Sequence, residues 1–509
     1  MKKIFFLLLL SFQTIAQNQP PQICYEIFIR SFADSNGDGI GDINGITSKL
    51  DYLKNLGVDA IWITPFCQSP SYHKYDVVDY KKIDPEYGTM DDFKHLIAEA
   101  HKRKILIIKD FVINHTSDQH PWFLEAKKGK NNPYRAYYNW MTPQKIDSMG
   151  VATREASGGS WELKPWHFVN KNDDEKYYGL FWSGMPDLNF DNPKVRREIY
   201  DIGKFWLKDI GVDGFRLDAA KHLYPEWEAQ KCHAFWQEFK QEMTTAKPNV
   251  YLVGEVWADA KIVAPFFKGL NANFDIDACL KLWEIIKTGK EQDFIKTLLA
   301  NYQTFSQANP DFINATIIDN HDQNRIGNTL EGNIDKMKVA ANLLLTLPGE
   351  PYIYYGEEIG MFGQKPDENI REPFLWDVKS ADKYRTSWIK PTFTTESTVK
   401  PLSIQKTDIN SIYNHYKKLI SFRKSQVAMR QVSPANLKES SIKQEGIIAF
   451  IRPHPSGDLL VIHNINSEAK NITLDTKNQF FKKIIFKTSA ASLNKNIIQI
   501  PAFSVVVLK

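Results

Sequence analysis

Short apolar runs rich in β-branched residues recur along the first four-fifths of the chain, and segments with helical spacing separate them. The runs are Ala60–Phe66, Ile105–Val112, Gly214–Asp218, Tyr251–Val256, Ala315–Asp319 and Pro351–Tyr355. One helical segment opens with Thr89 and Asp92, a pair typical of a helix N-terminus, and Asp335–Leu347 is another. This alternation of strands and helices predicts a parallel α/β sheet, most economically a (β/α)8 TIM barrel.

The last part of the chain has a different pattern. Helical spacing ends near Arg430, and strand-like runs follow, namely Gly446–Arg452, Leu459–Asn464, Asn471–Leu474, Lys483–Phe486 and Ile497–Leu508. Consecutive short strands joined by turns are typical of antiparallel sheets. We therefore predict a C-terminal antiparallel β-sandwich domain over residues 430–509.

The spacing of the runs predicts one inserted domain. Asn114 and Asp218 follow consecutive barrel strands, yet they are 104 residues apart. A strand–helix unit in this chain takes roughly 35–40 residues, so roughly 65 residues are in excess. We place the insertion after the third strand, at residues 116–186, and the barrel at residues 20–115 and 187–429.

The N-terminus has the features of an export signal. Lys2 and Lys3 precede the apolar run Ile4–Leu10, and the small residues Thr14 and Ala16 suit a signal-peptidase site. We predict a signal peptide over residues 1–16, cleaved near Ala16, and a secreted protein, periplasmic or extracellular. No other run reaches the ~18 apolar residues of a membrane span, so we expect no membrane insertion.

Composition excludes several classes of protein. The 509 residues carry 64 Lys and Arg against 60 Asp and Glu, a net charge of +4, and 43% are hydrophobic. These are globular values, and without a basic cluster we expect no nucleic-acid partner. We expect a monomer. The four cysteines lack metal-ligand spacing and are either disulfide-bonded or buried thiols; they are Cys24, Cys67, Cys232 and Cys279.

Acidic residues end several of the predicted strands. Asp218, Glu255 and Asp322 follow the fourth, fifth and seventh strands if each strand–helix unit has the length inferred above. Because active sites of TIM barrels lie at the carboxyl ends of the strands, these acids should share one site.

The residue types at these positions indicate glycoside hydrolysis. Arg216 and Asp218 are two apart on a strand and share a face, so the cation should lower the pKa of Asp218 and keep it ionised as a nucleophile. Glu255 follows the apolar run Tyr-Leu-Val-Gly, and such surroundings favour the protonated form of a general acid. Two carboxylic acids in these roles form the arrangement of a retaining glycosidase. The alternative is an ion-pair network that closes the barrel core.

Four strings in the chain, DFVINH, GFRLDAAKH, GEVW and IIDNHD, resemble the four characteristic regions of the α-amylase family, glycoside hydrolase family 13. The resemblance extends from about Ile23 to Lys509. The string MPDLN at Met185–Asn189 resembles an intermediate subfamily, between oligo-1,6-glucosidases and neopullulanases, that contains secreted bacterial α-amylases. One departure is Lys74, which stands where relatives usually carry glycine.

The resemblance implies roles for individual residues. Asp218 would be the nucleophile, Glu255 the acid/base, and Asp322 would stabilise the transition state by binding sugar hydroxyls. The residues implied to surround or close the −1 sugar subsite are His73, Tyr75, Asp76, His115, Arg216, His321, Asp367 and Arg371.

The loop Asp34–Asp42 predicts a calcium site. Oxygen-bearing side chains alternate with glycines there, as suits a hard cation, and an EF-hand is excluded because its twelfth position is Gly45. The resemblance points to the ligands Asp34, Asn36, Asp38, Asp42 and the carbonyl of Ile40. It also suggests a second ion near Asn114 and Asp187. The alternative is an Asx-rich surface turn without a metal.

The predicted activity is cleavage of α-1,4-glucosidic bonds in starch, maltodextrins and related α-glucans, with endo or mixed action. Aromatic residues in the insertion offer stacking platforms for several sugars; they are Trp140, Trp161, Trp166, Tyr177, Tyr178 and Trp182. The alternatives are an exo-acting α-glucosidase or oligo-1,6-glucosidase and a neopullulanase-like transglycosylase. A more distant alternative is a non-catalytic glucan-binding relative, which would have lost the three acids.

Overall fold

The structure is a computed structural model that describes residues 21–153, 164–171, 173–291, 293–431 and 436–509. The predicted signal peptide over residues 1–16 and Trp161 lie outside the described residues.

Eight parallel strands form a closed barrel, which confirms the predicted fold class. In chain order the strands are Cys24–Ile27, Ala60–Ile63, Leu106–Phe111, Gly214–Leu217, Tyr251–Gly254, Ala272–Phe274, Ile313–Thr316 and Glu350–Tyr354. The sequence pattern did not predict the first and sixth strands, in which the polar residues Glu26 and Asn273 lie among the apolar ones. Asp218, Glu255 and Asp322 follow the fourth, fifth and seventh strands, as predicted.

Helices connect the barrel strands. The helix at Met90–Lys102 begins at Thr89, whose hydroxyl accepts from the backbone N–H of Asp92 while the Asp92 carboxylate accepts from the N–H of Thr89. This capping box is the one that the Thr89 and Asp92 pair predicts. The other α-helices of six or more residues in the barrel are Ile43–Ser48, Leu50–Leu56, Pro193–Lys204, Ala229–Ala246, Ile276–Thr288, Phe294–Ala308, Ile334–Thr346 and Ile412–Ser425.

A small module lies between the third and fourth barrel strands, where the insertion is predicted. Its antiparallel sheet places Lys176–Tyr178 between Trp140–Met141 and Trp166–His167. Helices Pro121–Ala126 and Pro143–Ser148 accompany this sheet. The loop after the second barrel strand carries a separate strand pair, Cys67–Gln68 with Asp79–Ile83.

The C-terminal domain consists of antiparallel sheets. One sheet has the spatial order Lys438–Glu439, Ile447–Arg452, Leu459–Asn464, Ser504–Leu508 and Ile484–Lys487, and the other has Lys470–Thr473, Ile497–Ile500 and Ser492–Asn494. The single strand predicted over Ile497–Leu508 is therefore two strands in different sheets. Pro501 follows the first of them and has no N–H to continue the ladder. Ile498 and Val506 pack in one buried cluster between the sheets.

All four cysteines are free and buried. Within the described residues, no helix is long and apolar enough to cross a membrane.

Candidate active site

Arg216 lies at the centre of the site, at the carboxyl end of the barrel. Its strand pairs in parallel with the third strand, and the register places Arg216 directly opposite Asp110. Both side chains are completely buried. Closing the barrel therefore brings a carboxylate and a guanidinium from neighbouring strands into contact.

One guanidinium binds three carboxylates. Nη1 of Arg216 lies 2.7 Å from Oδ1 of Asp218 and 3.0 Å from Oδ2 of Asp110, and Nη2 lies 2.7 Å from Oε2 of Glu255. The predicted contact between Arg216 and Asp218 is present, and the two residues share a face of the strand. The structure thus brings Asp218 and Glu255 together around a common cation.

The pKa of Asp218 differs from the prediction. Burial raises this pKa, and the negative charges of Glu255 and Asp110 raise it further, while Arg216 acts in the opposite direction. The expectation of a low pKa is wrong because the burial of the carboxyl group outweighs the attraction of Arg216. Asp218 in the ligand-free site therefore holds its proton more tightly than an exposed aspartate.

Glu255 accepts hydrogen bonds from two further donors. The indole N–H of Trp257 donates to Oε1 at 2.9 Å, and the backbone N–H of Ala219 donates to Oε2 at 3.2 Å. Ala219 has a φ of 47°, in the left-handed region that residues other than glycine rarely adopt. Such strain persists only where surrounding contacts hold it, and here the strained residue follows Asp218 and binds Glu255.

His321 links Asp322 to a buried glutamate on the first strand. Nδ1 of His321 lies 2.5 Å from Oε1 of Glu26, and Nε2 lies 3.1 Å from Oδ2 of Asp322. Burial alone would lower the pKa of His321, but the two carboxylates raise it to about 10. His321 is therefore a positively charged imidazolium at neutral pH.

Arg371 completes the surroundings of Asp322. Its Nη2 donates to Oδ1 of Asp322 at 2.7 Å and to Oδ2 of Asp367 at 3.3 Å, and its Nη1 donates to the Tyr72 hydroxyl at 2.9 Å. Partial burial favours the neutral form of Asp322, but His321 and Arg371 hold its pKa well below the usual range. Asp322 is thus a fixed anion, and the predicted pair of Asp367 and Arg371 lies beside it.

Tyr75 lies against the same residues. Its ring stacks on His321 with centroids 5.5 Å apart and 5° between the planes, and its hydroxyl donates to Oδ2 of Asp110 at 3.1 Å. Asp76 accepts from the Ser69 hydroxyl at 2.7 Å and also from the Ser71 hydroxyl. The structure therefore gives Asp76 the role of fixing the loop.

Two predicted histidines are neutral. Burial lowers the pKa of His115 to about 4, and burial together with Arg371 lowers the pKa of His73 to about 3. His115 packs edge-on against Phe181, and within the described residues its Nε2 has no hydrogen-bond partner. The hydrogen-bonding capacity of this buried nitrogen is therefore unused in the ligand-free site.

The predicted calcium loop is folded by its own side chains. The Asp34 carboxylate accepts from the N–H groups of Gly37 and Gly39 at 2.6 and 2.8 Å, and Asp42 caps the following helix by accepting from Gly45 at 2.6 Å. Asp38 accepts from the N–H of Ile40 at 2.8 Å. An all-oxygen donor set of this kind fits calcium in chemistry. In the described part of the chain, however, no group of three or more His, Cys, Asp or Glu side chains is gathered as a metal site.

The second predicted ion site contains a direct contact. The Asn114 amide donates to Oδ2 of Asp187 at 3.1 Å, while Oδ1 of Asn114 is buried and has no partner among the described residues. One amide oxygen and one carboxylate are two of the six to eight oxygen ligands that calcium takes.

Three residues of the site were not predicted from the sequence. Asp110 ends a predicted strand, but its partner Arg216 follows only from the register between strands. Glu26 lies on the first strand, which was not predicted. Tyr72 lies beside the predicted His73, and its hydroxyl contact with Arg371 spans 299 residues of sequence.

Comparison with known proteins gives consistent matches along the chain. The family model described as "Alpha amylase, catalytic domain" matches residues 26–432, and "Alpha-amylase SusG C-terminal domain" matches residues 447–507. Alpha-amylase 3 of Dictyoglomus thermophilum is 43% identical, over 99% of this chain and 97% of the relative. An oligo-1,6-glucosidase of Parageobacillus thermoglucosidasius is 35% identical, over 79% and 83%.

A solved structure agrees. The crystal structure of an alpha-amylase from H. orenii superposes with a TM-score of 0.86 at 39% identity, covering 96% of this chain and 98% of that one. The fold, the strand-end carboxylates and the family match over most of the chain lead to one conclusion. The chain belongs to the α-amylase family, glycoside hydrolase family 13.

Proposed function

We propose that the protein is an α-amylase that hydrolyses α-1,4-glucosidic bonds of starch and maltodextrins with retention of anomeric configuration. The observation that carries this proposal is the binding of Asp218 and Glu255 to the two terminal nitrogens of Arg216, at 2.7 Å each. A shared guanidinium keeps two carboxyl groups close. Retaining glycosidases need a separation of about 5–5.5 Å, whereas inverting enzymes need about 6.5–9.5 Å to admit a water.

The proposed reaction has two steps. The Asp218 carboxylate attacks the anomeric carbon and forms a glycosyl ester, while Glu255 gives its proton to the departing glycosidic oxygen. Glu255 then takes a proton from water, and the hydroxide attacks the ester and releases Asp218. Each attack inverts the anomeric carbon, so the product has the α configuration of the substrate.

The surrounding residues suit an oxocarbenium-like transition state. Asp322 is held as an anion by His321 and Arg371, and it would bind sugar hydroxyls of the −1 glucose. His115 offers a buried nitrogen for a hydroxyl, and Tyr75 presents a ring fixed by His321. These contacts would orient the sugar so that its anomeric carbon faces Asp218.

Endo or mixed action is the mode that we propose. Trp182 is 47% exposed, a ring available to stack on a sugar outside the −1 subsite. Tyr177 is buried, Trp140 stacks on Phe123, and Trp166 packs on Tyr178, so these rings form the core of the insertion. The exo-acting and transglycosylating alternatives share the same acids and differ in products.

We also propose that the Asp34–Asp42 loop binds calcium. Calcium would be held by Asp34, Asn36, Asp38, Asp42 and the Ile40 carbonyl, and it would neutralise three carboxylates of one loop. A second ion at Asn114 and Asp187 would need further ligands.

We propose further that the protein is secreted after loss of residues 1–16. Membership of the MPDLN subfamily stays a prediction.

A product time course tests the activity. Soluble starch, maltotriose and pullulan are incubated with the protein, and iodine colour, reducing ends and product sizes are followed together. Endo action on starch removes the iodine colour while few reducing ends have formed. Glucose as the sole early product indicates an exo-glucosidase, and products longer than the substrate indicate transglycosylation. The Asp218→Asn variant is the inactive control.

A further inference from the structure

Lys74 combines two features that are unfavourable for a lysine. Its side chain is 3% exposed, and its backbone φ is 64°, in the left-handed region that favours glycine. A buried ammonium loses its hydration, and a left-handed residue with a Cβ carries steric strain. Lys74 also lies between His73 and Tyr75, two residues of the proposed −1 subsite. The surrounding contacts must offset both costs.

Two carboxylates and a carbonyl receive the ammonium. Nζ of Lys74 lies 2.7 Å from Oε2 of Glu86 and 2.9 Å from Oδ2 of Asp84, and it donates to the carbonyl of Ser69 at 3.2 Å. Glu86 also binds Arg30. Two cations therefore balance two carboxylates in this cluster, which we call the Lys74 cluster: Arg30, Lys74, Asp84 and Glu86.

The cluster fastens the loop that carries His73 and Tyr75. Asp84 accepts from the backbone N–H of Ser69 at 3.1 Å, so the same carboxylate binds the start of the loop and the ammonium from its middle. The backbone N–H of Lys74 donates to the Ser71 hydroxyl at 3.1 Å. The loop is thus closed on itself and tied to the segment after strand Asp79–Ile83.

The Lys74 cluster is also connected to the residues that surround Asp322. The Arg30 guanidinium lies 5.6 Å from the centroid of the Trp388 ring, and Trp388 stacks on Tyr72 at 5.4 Å. The hydroxyl of Tyr72 accepts from Arg371, which binds Asp322. A continuous series of contacts therefore joins Lys74 to the environment of Asp322.

We infer that Lys74 is a positioning residue of the −1 subsite, which it serves by anchoring the His73–Tyr75 segment to Asp84 and Glu86. The inference rests on the proposed glycosidase activity. Lys74 does not contact the reacting carboxylates; it acts through Tyr75, whose hydroxyl meets Asp110 and His321. The ammonium of Lys74 anchors the segment even though the backbone conformation of residue 74 favours glycine.

The test compares Lys74→Met, Lys74→Arg and Lys74→Gly with the wild type on maltotriose, far below the melting temperature. We expect Lys74→Met to lose kcat/KM on the order of 10²-fold, since misplacement of about 1 Å has that effect. Lys74→Arg keeps a cation and should recover most of the activity. Lys74→Gly relieves the backbone but removes the anchor, so it should remain impaired.

The matched control is Lys130→Met. Lys130 also contacts two carboxylates, Asp174 at 2.6 Å and Glu175 at 3.5 Å, but on the surface of the insertion. Its loss should leave kcat and KM unchanged. If Lys74→Met does not fold, Glu86→Gln removes one anchor and should lower kcat/KM in the same direction. A Lys74→Met and Glu86→Gln double variant should lose less than the product of the two single losses.

Two results separate the outcomes. A wild type active on maltotriose, with Lys74→Met equal to it in kcat and KM and altered only in melting temperature, overturns the positioning role and leaves the proposed function intact. A wild type without activity on any α-glucan overturns the proposed function, and the positioning role with it.

Discussion

Asp218 and Glu255 contact different terminal nitrogens of the same buried guanidinium, that of Arg216. Each carboxylate oxygen lies 2.7 Å from its nitrogen. The planar, rigid shape of arginine therefore sets the spacing between the two acids, which a flexible ammonium cannot do. The third contact of Arg216, with Asp110 on the neighbouring strand, fixes the guanidinium itself. The spacing of the acids thus depends on strand register as well as on the residues.

We predict that Arg216→Lys lowers kcat/KM by about 10²-fold or more, since the two acids lose their common reference. Arg216 also lowers the pKa of Asp218, and the single ammonium of a lysine cannot keep the contacts that two guanidinium nitrogens make. The acid limb of the kcat/KM profile should therefore move to higher pH. The measurement is a pH–rate profile. Arg103→Lys, which alters a surface arginine bound to Asp51 and Glu99, should leave the profile unchanged. An unshifted acid limb in Arg216→Lys would contradict the account.

A second prediction concerns the alkaline side. The pKa of His321 is about 10 in the folded protein against an ordinary 6.5, so its stabilisation is complete below pH 6.5 and is lost as the pH rises through 10. Glu26→Gln removes one of the carboxylates that raise this pKa. Between pH 6.5 and 10, the melting temperature of the variant should therefore fall less steeply than that of the wild type. If the melting temperatures of the variant and the wild type fall with the same slope, Glu26 does not hold the proton on His321.

The calcium proposal predicts a response to chelation. A ligand at 100 times its Kd stabilises the folded state by about 2.7 kcal/mol, so a chelator should lower the melting temperature and added calcium should restore it. Asp38→Asn should abolish this response. Asp38 is the suitable position because it is exposed and its hydrogen bonds stay within the loop, whereas Asp42 also caps a helix. A wild type that ignores the chelator and contains no calcium would exclude the site.

Trp182 provides a test of substrate length. Its ring is 47% exposed and lies over Gly184, where an added Cβ would come within 2.3 Å of it, so the ring is held against the backbone. Losing one aromatic platform removes about 0.5–1.5 kcal/mol, so Trp182→Ala should raise KM for starch by up to about tenfold and leave maltotriose unaffected. Phe480→Ala, which removes a ring in the C-terminal domain that is 57% exposed, is the control. Equal losses on starch and maltotriose would place Trp182 outside the glucan path.

Local patterns predicted much of this molecule. The Thr89 and Asp92 pair located a helix start, and apolar runs located six of the eight barrel strands. Counting strand–helix units then placed Asp218, Glu255 and Asp322 at the correct strand ends. These features depend on neighbouring residues and on a repeated architecture, so they can be recognised in one sequence.

Contacts between distant segments were not predictable in the same way. Glu26 and His321 are separated by 295 residues, and Glu26 lies on a strand that the sequence pattern did not predict. The pKa of Asp218 depends first on its burial and then on the charges of Arg216, Glu255 and Asp110, which only the packing of neighbouring strands brings together. The sequence likewise shows a lysine at position 74 but not the two carboxylates that receive it.

The most direct test of the central claim is the anomeric configuration of the first product. Maltotriose or a longer maltodextrin is cleaved in the spectrometer, and proton NMR follows the new reducing end before mutarotation equilibrates it. Two successive displacements through Asp218 predict that the α-anomer appears first and the β-anomer grows in later, while Asp218→Asn shows neither. Initial release of the β-anomer would show a single displacement by water, and it would contradict the assignment of Asp218 as nucleophile.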